Sequence, residues 1–180
     1  RELLLLSKIL YFSEVAELLG LSRAAQMIYH NKHFYGTQLN YAIQKLDHAV
    51  VPRRGIDLSA GISHTINYNQ TDSQFTRYRA DVNFFLPIFK PVVLSIKLGG
   101  AHIDGNPEIY QLNTIGGARN LRGHYRDRFQ GNTTFYNANE LQFLIKTRSF
   151  LYNGTTGLLA LYDIGRVWQP GETSGTWHRA

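Results

Sequence analysis

From Lys32 onward the chain alternates apolar and polar residues with a period of two. That is the repeat of a β-strand with one face against apolar surroundings and the other against water. Leu39, Tyr41 and Ile43 alternate with Gln38, Asn40, Ala42 and Gln44. The cleanest pattern follows the turn residues Val51-Pro-Arg-Arg-Gly. There Ile56, Leu58, Ala60, Ile62, Ile66 and Tyr68 take one face, with only His64 intervening. Asp57, Ser59, Gly61, Ser63, Thr65, Asn67 and Asn69 take the other, which is small and polar throughout. Asn69-Gln-Thr-Asp-Ser reads as a hairpin connection. Beyond it Tyr78, Ala80, Val82, Phe84 and Leu86 alternate with Arg77, Arg79, Asp81 and Asn83, and Pro87 and Pro91 bracket the next turn. Val92, Leu94, Ile96 and Leu98 then oppose Val93, Ser95, Lys97 and Gly99. After an interruption, Leu141, Phe143 and Ile145 oppose Glu140, Gln142 and Lys146. Finally Leu158, Ala160, Tyr162 and Ile164 oppose Leu159, Leu161, Asp163 and Gly165.

The interruption centres on Ile115 to Gly131, which holds four glycines and four arginines in seventeen residues. It is too irregular in hydrophobicity to predict a strand or a helix, so residues 104–134 read as one long basic loop between amphipathic strands. Past Trp168 the run Gln-Pro-Gly-Glu-Thr-Ser-Gly-Thr reads as a polar loop.

Residues 1–30 follow a different rule. Val15, Leu18, Leu19, Ala25 and Ile28 fall near helical spacing behind a Ser13 cap, predicting a short helical or irregular segment. Ser13 to Ala25 resembles the first half of a helix-turn-helix, but no second helix with base-contacting residues follows. The formal charge of +6 sits largely in the loop and on scattered lysines rather than on one helix face, so no nucleic-acid partner is expected.

The domain reading is therefore an N-terminal segment, 1–30, and an all-β unit, 31–180: an antiparallel meander of long amphipathic strands. Most of its six or so strands are long enough for the ~9–11 tilted residues that cross an outer membrane. A soluble sandwich uses shorter strands, about five or six residues at the mode. Charged residues are 18% and aromatics 13%, a mix that suits strands with aromatic girdles and equally a soluble all-β protein. Strand length and polarity favour part of a transmembrane β-barrel. The alternative is a soluble β-rich binding module that uses the basic loop for an acidic ligand. Six strands fall short of the about eight in the smallest bacterial barrel, so either residues 1–30 add strands or the chain is a fragment, and the fragment is favoured.

The ordered residues Gly116-Gly117, Asn120-Leu121-Arg122-Gly123-His124-Tyr125, Arg128-Phe129 and Gly131, then Asn139-Glu140-Leu141, then Leu161-Tyr162-Asp163-Ile164-Gly165 and Val167-Trp168 carry a resemblance. In that order and spacing they resemble the carboxy-terminal barrel of the Omp85 (bacterial surface antigen D15) superfamily, of the BamA and TamA kind. Pro52-Arg53-Arg54-Gly55 is similar to a turn common in these barrels. The family's loop carries a (Val/Ile/Leu)-Arg-Gly-(Tyr/Phe) tip that folds back into the barrel and docks on a Phe-x-Asp-x-Gly strand. The resemblance implies insertion, assembly or translocation of proteins at the outer membrane of a Gram-negative bacterium. The partners it implies are outer-membrane lipid, client outer-membrane or secreted proteins, and assembly-complex lipoproteins. The chain departs from the pattern at His124, with the aromatic displaced to Tyr125, and at Leu161, where the family has phenylalanine. It ends Trp-His-Arg-Ala, where the family has further strands and a terminal aromatic, and no periplasmic repeats precede the barrel.

Strand parity complements the resemblance. Asp163 lies opposite the Leu158, Ala160, Tyr162, Ile164 stripe, and Glu140 opposite Leu141, Phe143 and Ile145, so both carboxylates are expected to point into one lumen. A carboxylate there is costly unless hydrated or paired, and an arginine fork at a loop tip can satisfy both. Arg122, Gly123, Asp163 and Glu140 are thus the expected loop lock. Gly116, Gly117, Leu121, Tyr125 and Gly165 are its expected supports, the glycines allowing tight turns.

Other chemistry finds no footing in the pattern. There is no cysteine, and His30, His33, His48, His64, His102, His124 and His178 are scattered without a metal-ligand spacing. No Gly-x-Ser-x-Gly elbow is present. Glu140 and Asp163 could pose as a glycosidase pair but are better explained as partners of Arg122. No dinucleotide fingerprint is completed after Gly116. No catalytic residue, metal or cofactor is expected, and the chain is not expected to be an enzyme.

Overall fold

The computed structural model describes residues 33–68, 73–148, 153–171 and 176–180. The helical or irregular segment expected over residues 1–30 lies outside them, as does most of the Asn69–Ser73 connection. Six long antiparallel strands build the fold: β1 (Phe34–Leu46), β2 (Gly55–Asn67), β3 (Phe75–Phe89), β4 (Val92–Gly105), β7 (Thr133–Arg148) and β8 (Asn153–Trp168). Each has 13 to 16 residues, more than a tilted strand needs to cross a bilayer. Together with a short β9 (His178–Arg179) they pair in the order β1-β2-β3-β4-β7-β8-β9, a curved meander that does not close on itself. No helix among the described residues is long and apolar enough to cross a membrane.

The alternation read from the sequence divides the sheet into two faces because register is kept along every pair apart from one shift near the end of β3. On the polar face Asp57 lies opposite Asn83, Asp81 opposite Gly99, Lys97 opposite Ala138, and Ala138 opposite Asp163. On the apolar face Ile43, Leu58, Val82, Leu98 and Ile164 fall in one cross-strand row that also includes Asn137. Asn137 and Asn139 interrupt that face, since β7 begins at Thr133, well before the apolar run at Leu141. Their amides are tied to each other and to the carbonyls of Lys97 and Tyr162. Satisfied amides can stand beside hydrocarbon where bare ones could not.

Pro87 corrects the sequence reading. It stands inside β3 rather than at the turn, at the register irregularity between Pro87 and Phe89 where a missing N–H disturbs little, and the turn itself is only Lys90–Pro91. At the same end of the sheet, Asp47 organises residues 47–54 by accepting the backbone N–H groups of Arg53 and Arg54 at 2.9 and 3.0 Å. Those bonds hold its carboxyl below the usual carboxylate range. The opposite end carries the long connections, residues 106–132 above all.

That long connection is not formless, contrary to the sequence reading. It contains a single-turn helix (Ile109–Gln111) and a two-stranded hairpin, β5 (Asn113–Ile115) with β6 (Phe129–Gly131). Elements of three residues are too short for a period to declare itself. The hairpin lies on the polar face of β7 and β8. There Ile115, Leu121, Tyr136 and Ala138 form the buried cluster, flanked by Phe129 and Val167. The core of this sheet therefore sits between the loop and the wall.

Candidate functional site

The tip of the loop is shaped by a tight turn within residues 116–123. Gly116, at φ +129°, donates its N–H to the Asn120 side chain at 2.9 Å, and a Cβ there would collide with the Tyr125 carbonyl oxygen. Gly117 and Leu121 form an isolated antiparallel bridge that closes the turn. This aims Leu121 inward, where it is 0% exposed, and sends Arg122 to the wall. Gly123, at φ +96°, lets the chain leave at once: a Cβ would come within 2.9 Å of Ala180 Cβ.

Arg122 meets two strands together. Its Nε and Nη2 donate to Asp163 Oδ2 and Oδ1 at 2.9 and 2.7 Å, a bidentate fork. Nη1 donates to Glu140 Oε2 at 2.6 Å, and Nη2 also to the Asn139 carbonyl at 3.0 Å. The Arg122 backbone N–H adds a further bond to Asp163 Oδ2 at 2.7 Å. Asp163 is fully buried, so its charge depends on this one residue for compensation. Glu140 is steadied from behind by Gln142 Nε2 at 2.8 Å. Bonding to Asp163 first, and to Glu140, raises the guanidinium's hold on its proton, against the opposing effect of burial.

Gly165 makes room for the loop. It stands two residues beyond Asp163 on the same face, and a Cβ on it would lie 2.9 Å from Ile115 Cδ1. One strand thus offers a charge for the arginine and a gap for the isoleucine.

One expected support stands differently. Tyr125 is 88% exposed, and only its backbone carbonyl packs against Gly116. His124 occupies the inner position instead, edge-on to Phe129 at 5.2 Å, with Nε2 donating to the Arg179 carbonyl at 3.0 Å. Leu161 is 47% exposed and makes no platform under Arg122.

Several contacts escaped the sequence reading. The last residues, beyond the polar loop, return as β9: Ala180 exchanges both backbone bonds with Asp163 at 2.9 Å, and His178 stacks on Phe129 at 3.6 Å. Strand cations also reach the loop. Arg77 donates to the Gln111 carbonyl, and Lys97 Nζ to the Arg119 carbonyl at 3.0 Å. Their alternation on the polar face was visible, but nothing in spacing links a strand lysine to a loop carbonyl. Among the described residues no group of His, Asp and Glu is arranged to hold a metal ion.

Leu121→Ala tests the apolar half of this contact. Removing a fully buried leucine is expected to cost about 2–5 kcal/mol. It should show as faster tryptic cleavage at the loop arginines with the ion pairs intact in composition; cleavage at the wild-type rate would mean that Leu121 bears no load.

No individually curated protein gives a match to this chain. A model of the Omp85 superfamily domain matches residues 26–180, which include the whole meander, the loop and the strand bearing Asp163. The chain belongs to the Omp85 superfamily of outer-membrane β-barrel proteins.

Proposed function

We propose that this chain forms part of the wall of an outer-membrane barrel that inserts or translocates proteins, and that Arg122, Gly123, Asp163 and Glu140 lock its loop inside the lumen. Omp85 is a family of outer-membrane insertion and translocation, and that supports the first half. The observation that carries the second is the fully buried Asp163 carboxylate, compensated by the loop's own guanidinium. Gly116, Gly117, Leu121 and Gly165 support the lock through the turn and the packing described above.

A loop fastened there occupies the lumen, fixes the curvature of the wall and limits leakage. The work is binding and conformational, without bond chemistry. The partners proposed are outer-membrane lipid against the apolar face, client outer-membrane or secreted proteins, and lipoproteins of an assembly complex.

Arg122→Ala in the native protein is expected to impair assembly of the barrel or of its clients. The measurement is the amount of heat-modifiable, folded barrel recovered from outer membranes, at rest and under envelope stress. Wild-type recovery in both conditions would sink the lock. The soluble-module reading separates on detergent: it requires the native protein to stay monodisperse in plain buffer, whereas a barrel wall precipitates there.

A further inference from the structure

Among the described residues the apolar face carries a cation, Arg166, that makes no ion pair and is half-buried. Arg166 follows the parity of Leu158, Ala160, Tyr162 and Ile164, which puts it on the hydrocarbon side of β8, opposite Phe135. Its guanidinium lies over the Trp168 ring at 4.9 Å and the Trp177 ring at 5.7 Å, and its Nε is buried without an acceptor. Trp177 in turn packs edge-on against Phe135 and Trp168, both at 6.2 Å. An arginine held by indole faces keeps its charge, and an uncompensated charge beside hydrocarbon calls for an anion.

The position says which anion. The longest connection, residues 106–132, lies at this end of the sheet and the tightest described turn, Lys90–Pro91, at the other, the asymmetry of the outer and inner ends of such barrels. Tryptophans mark the level of lipid headgroups. From Trp168 and Trp177, the rings over which Arg166 lies, an apolar groove of about 790 Å³ runs across the strands. Ala60, Ala80 and Gly100, in the same cross-strand row as Arg166, form its floor. Ile62, Tyr78 and His102 form its upper wall. Because barrel strands tilt by about 35–45°, a groove running across them is itself inclined to the membrane, a course an acyl chain can follow.

We propose that Arg166, Trp168 and Trp177 form a site for the phosphomonoester headgroup of an acylated lipid in the leaflet at the long-loop end, with an acyl chain in the adjoining groove. Charge complementarity selects the headgroup and the groove selects the chain. The proposal rests on the membrane reading above.

Both tryptophans of the sequence belong to this site, so their fluorescence reports it directly. The chain is reconstituted in phosphatidylcholine nanodiscs doped with acyl-brominated phosphatidic acid, diacylglycerol or phosphatidylcholine in equal amount. Brominated phosphatidic acid is expected to quench several-fold more than brominated diacylglycerol. Arg166→Gln should abolish that preference, weakening the lipid by about tenfold, as for loss of one charge-assisted bond, while Arg166→Lys keeps most of it. Excess inorganic phosphate should displace nothing. Equal quenching by the two lipids, an unchanged preference in Arg166→Gln, or displacement by phosphate would each overturn the site; the first would leave Arg166 simply satisfied by its aromatic neighbours. The wild-type comparison decides even if Arg166→Gln fails to fold. Absence of quenching by every brominated lipid, phosphatidylcholine included, would instead remove the membrane reading beneath it.

Discussion

Asp163→Ala is expected to free the loop from the wall. The substitution deletes the acceptor of three bonds, two from the guanidinium and one from the Arg122 backbone. It leaves Arg122 only Glu140 and the Asn139 carbonyl. Breaking one side of a buried pair costs roughly 3–5 kcal/mol, because the remaining charge must be rehydrated where water is scarce. That shifts the ratio of docked to released loop by roughly two to four orders of magnitude. Limited trypsin digestion at Arg119, Arg126 and Arg128 reads the release, with heat-modifiable gel mobility reporting whether the sheet survives. Asp163→Asn should fall between, keeping shape and one acceptor but no charge. Glu140→Gln should do least, since Glu140 is partly exposed and takes a single bond from Arg122. Digestion of Asp163→Ala at the wild-type rate would mean that packing alone holds the loop.

Gly165→Val attacks the same contact without touching a charge. The new side chain would stand where Ile115 now lies, since even a Cβ there approaches Ile115 Cδ1 to 2.9 Å. Valine suits a β-strand, so the sheet itself should tolerate the change. Overpacking typically costs about 1–3 kcal/mol, and the loop, the weaker partner, is what must yield. The expected result is a folded sheet with a protease-sensitive loop, as for Asp163→Ala. Combining Gly165→Val with Ile115→Ala restores the space and should recover part of the protection. A combined variant no better protected than Gly165→Val alone would show that the clash lies elsewhere.

The strands were legible because each is long and its two faces meet different surroundings, which writes a period of two over a dozen residues. The same parity put Asp163 and Glu140 on one face, and in the structure both contact Arg122. Identifying Arg122, among several loop arginines, needed the family resemblance, since loops carry no period. The turn that tips Tyr125 outward and His124 inward depends on Gly123 at φ +96°, a dihedral that side-chain chemistry does not announce. For the same reason β5, β6 and β9 went unread: two or three residues cannot show alternation, and their pairing is set by the wall beneath them.

One consequence follows from how many strands the loop grips. Arg77 reaches it from β3, Lys97 from β4, Glu140 and Asn139 from β7, and Asp163 from β8, whereas no described contact ties it to β1 or β2. The loop is thus a strut across four adjacent staves, and shear among those four must strain it. The other two staves are free of it and are held to the rest from the opposite end of the sheet, where Arg53 of the β1–β2 turn donates from Nη2 to the Leu144 carbonyl of β7 at 3.2 Å.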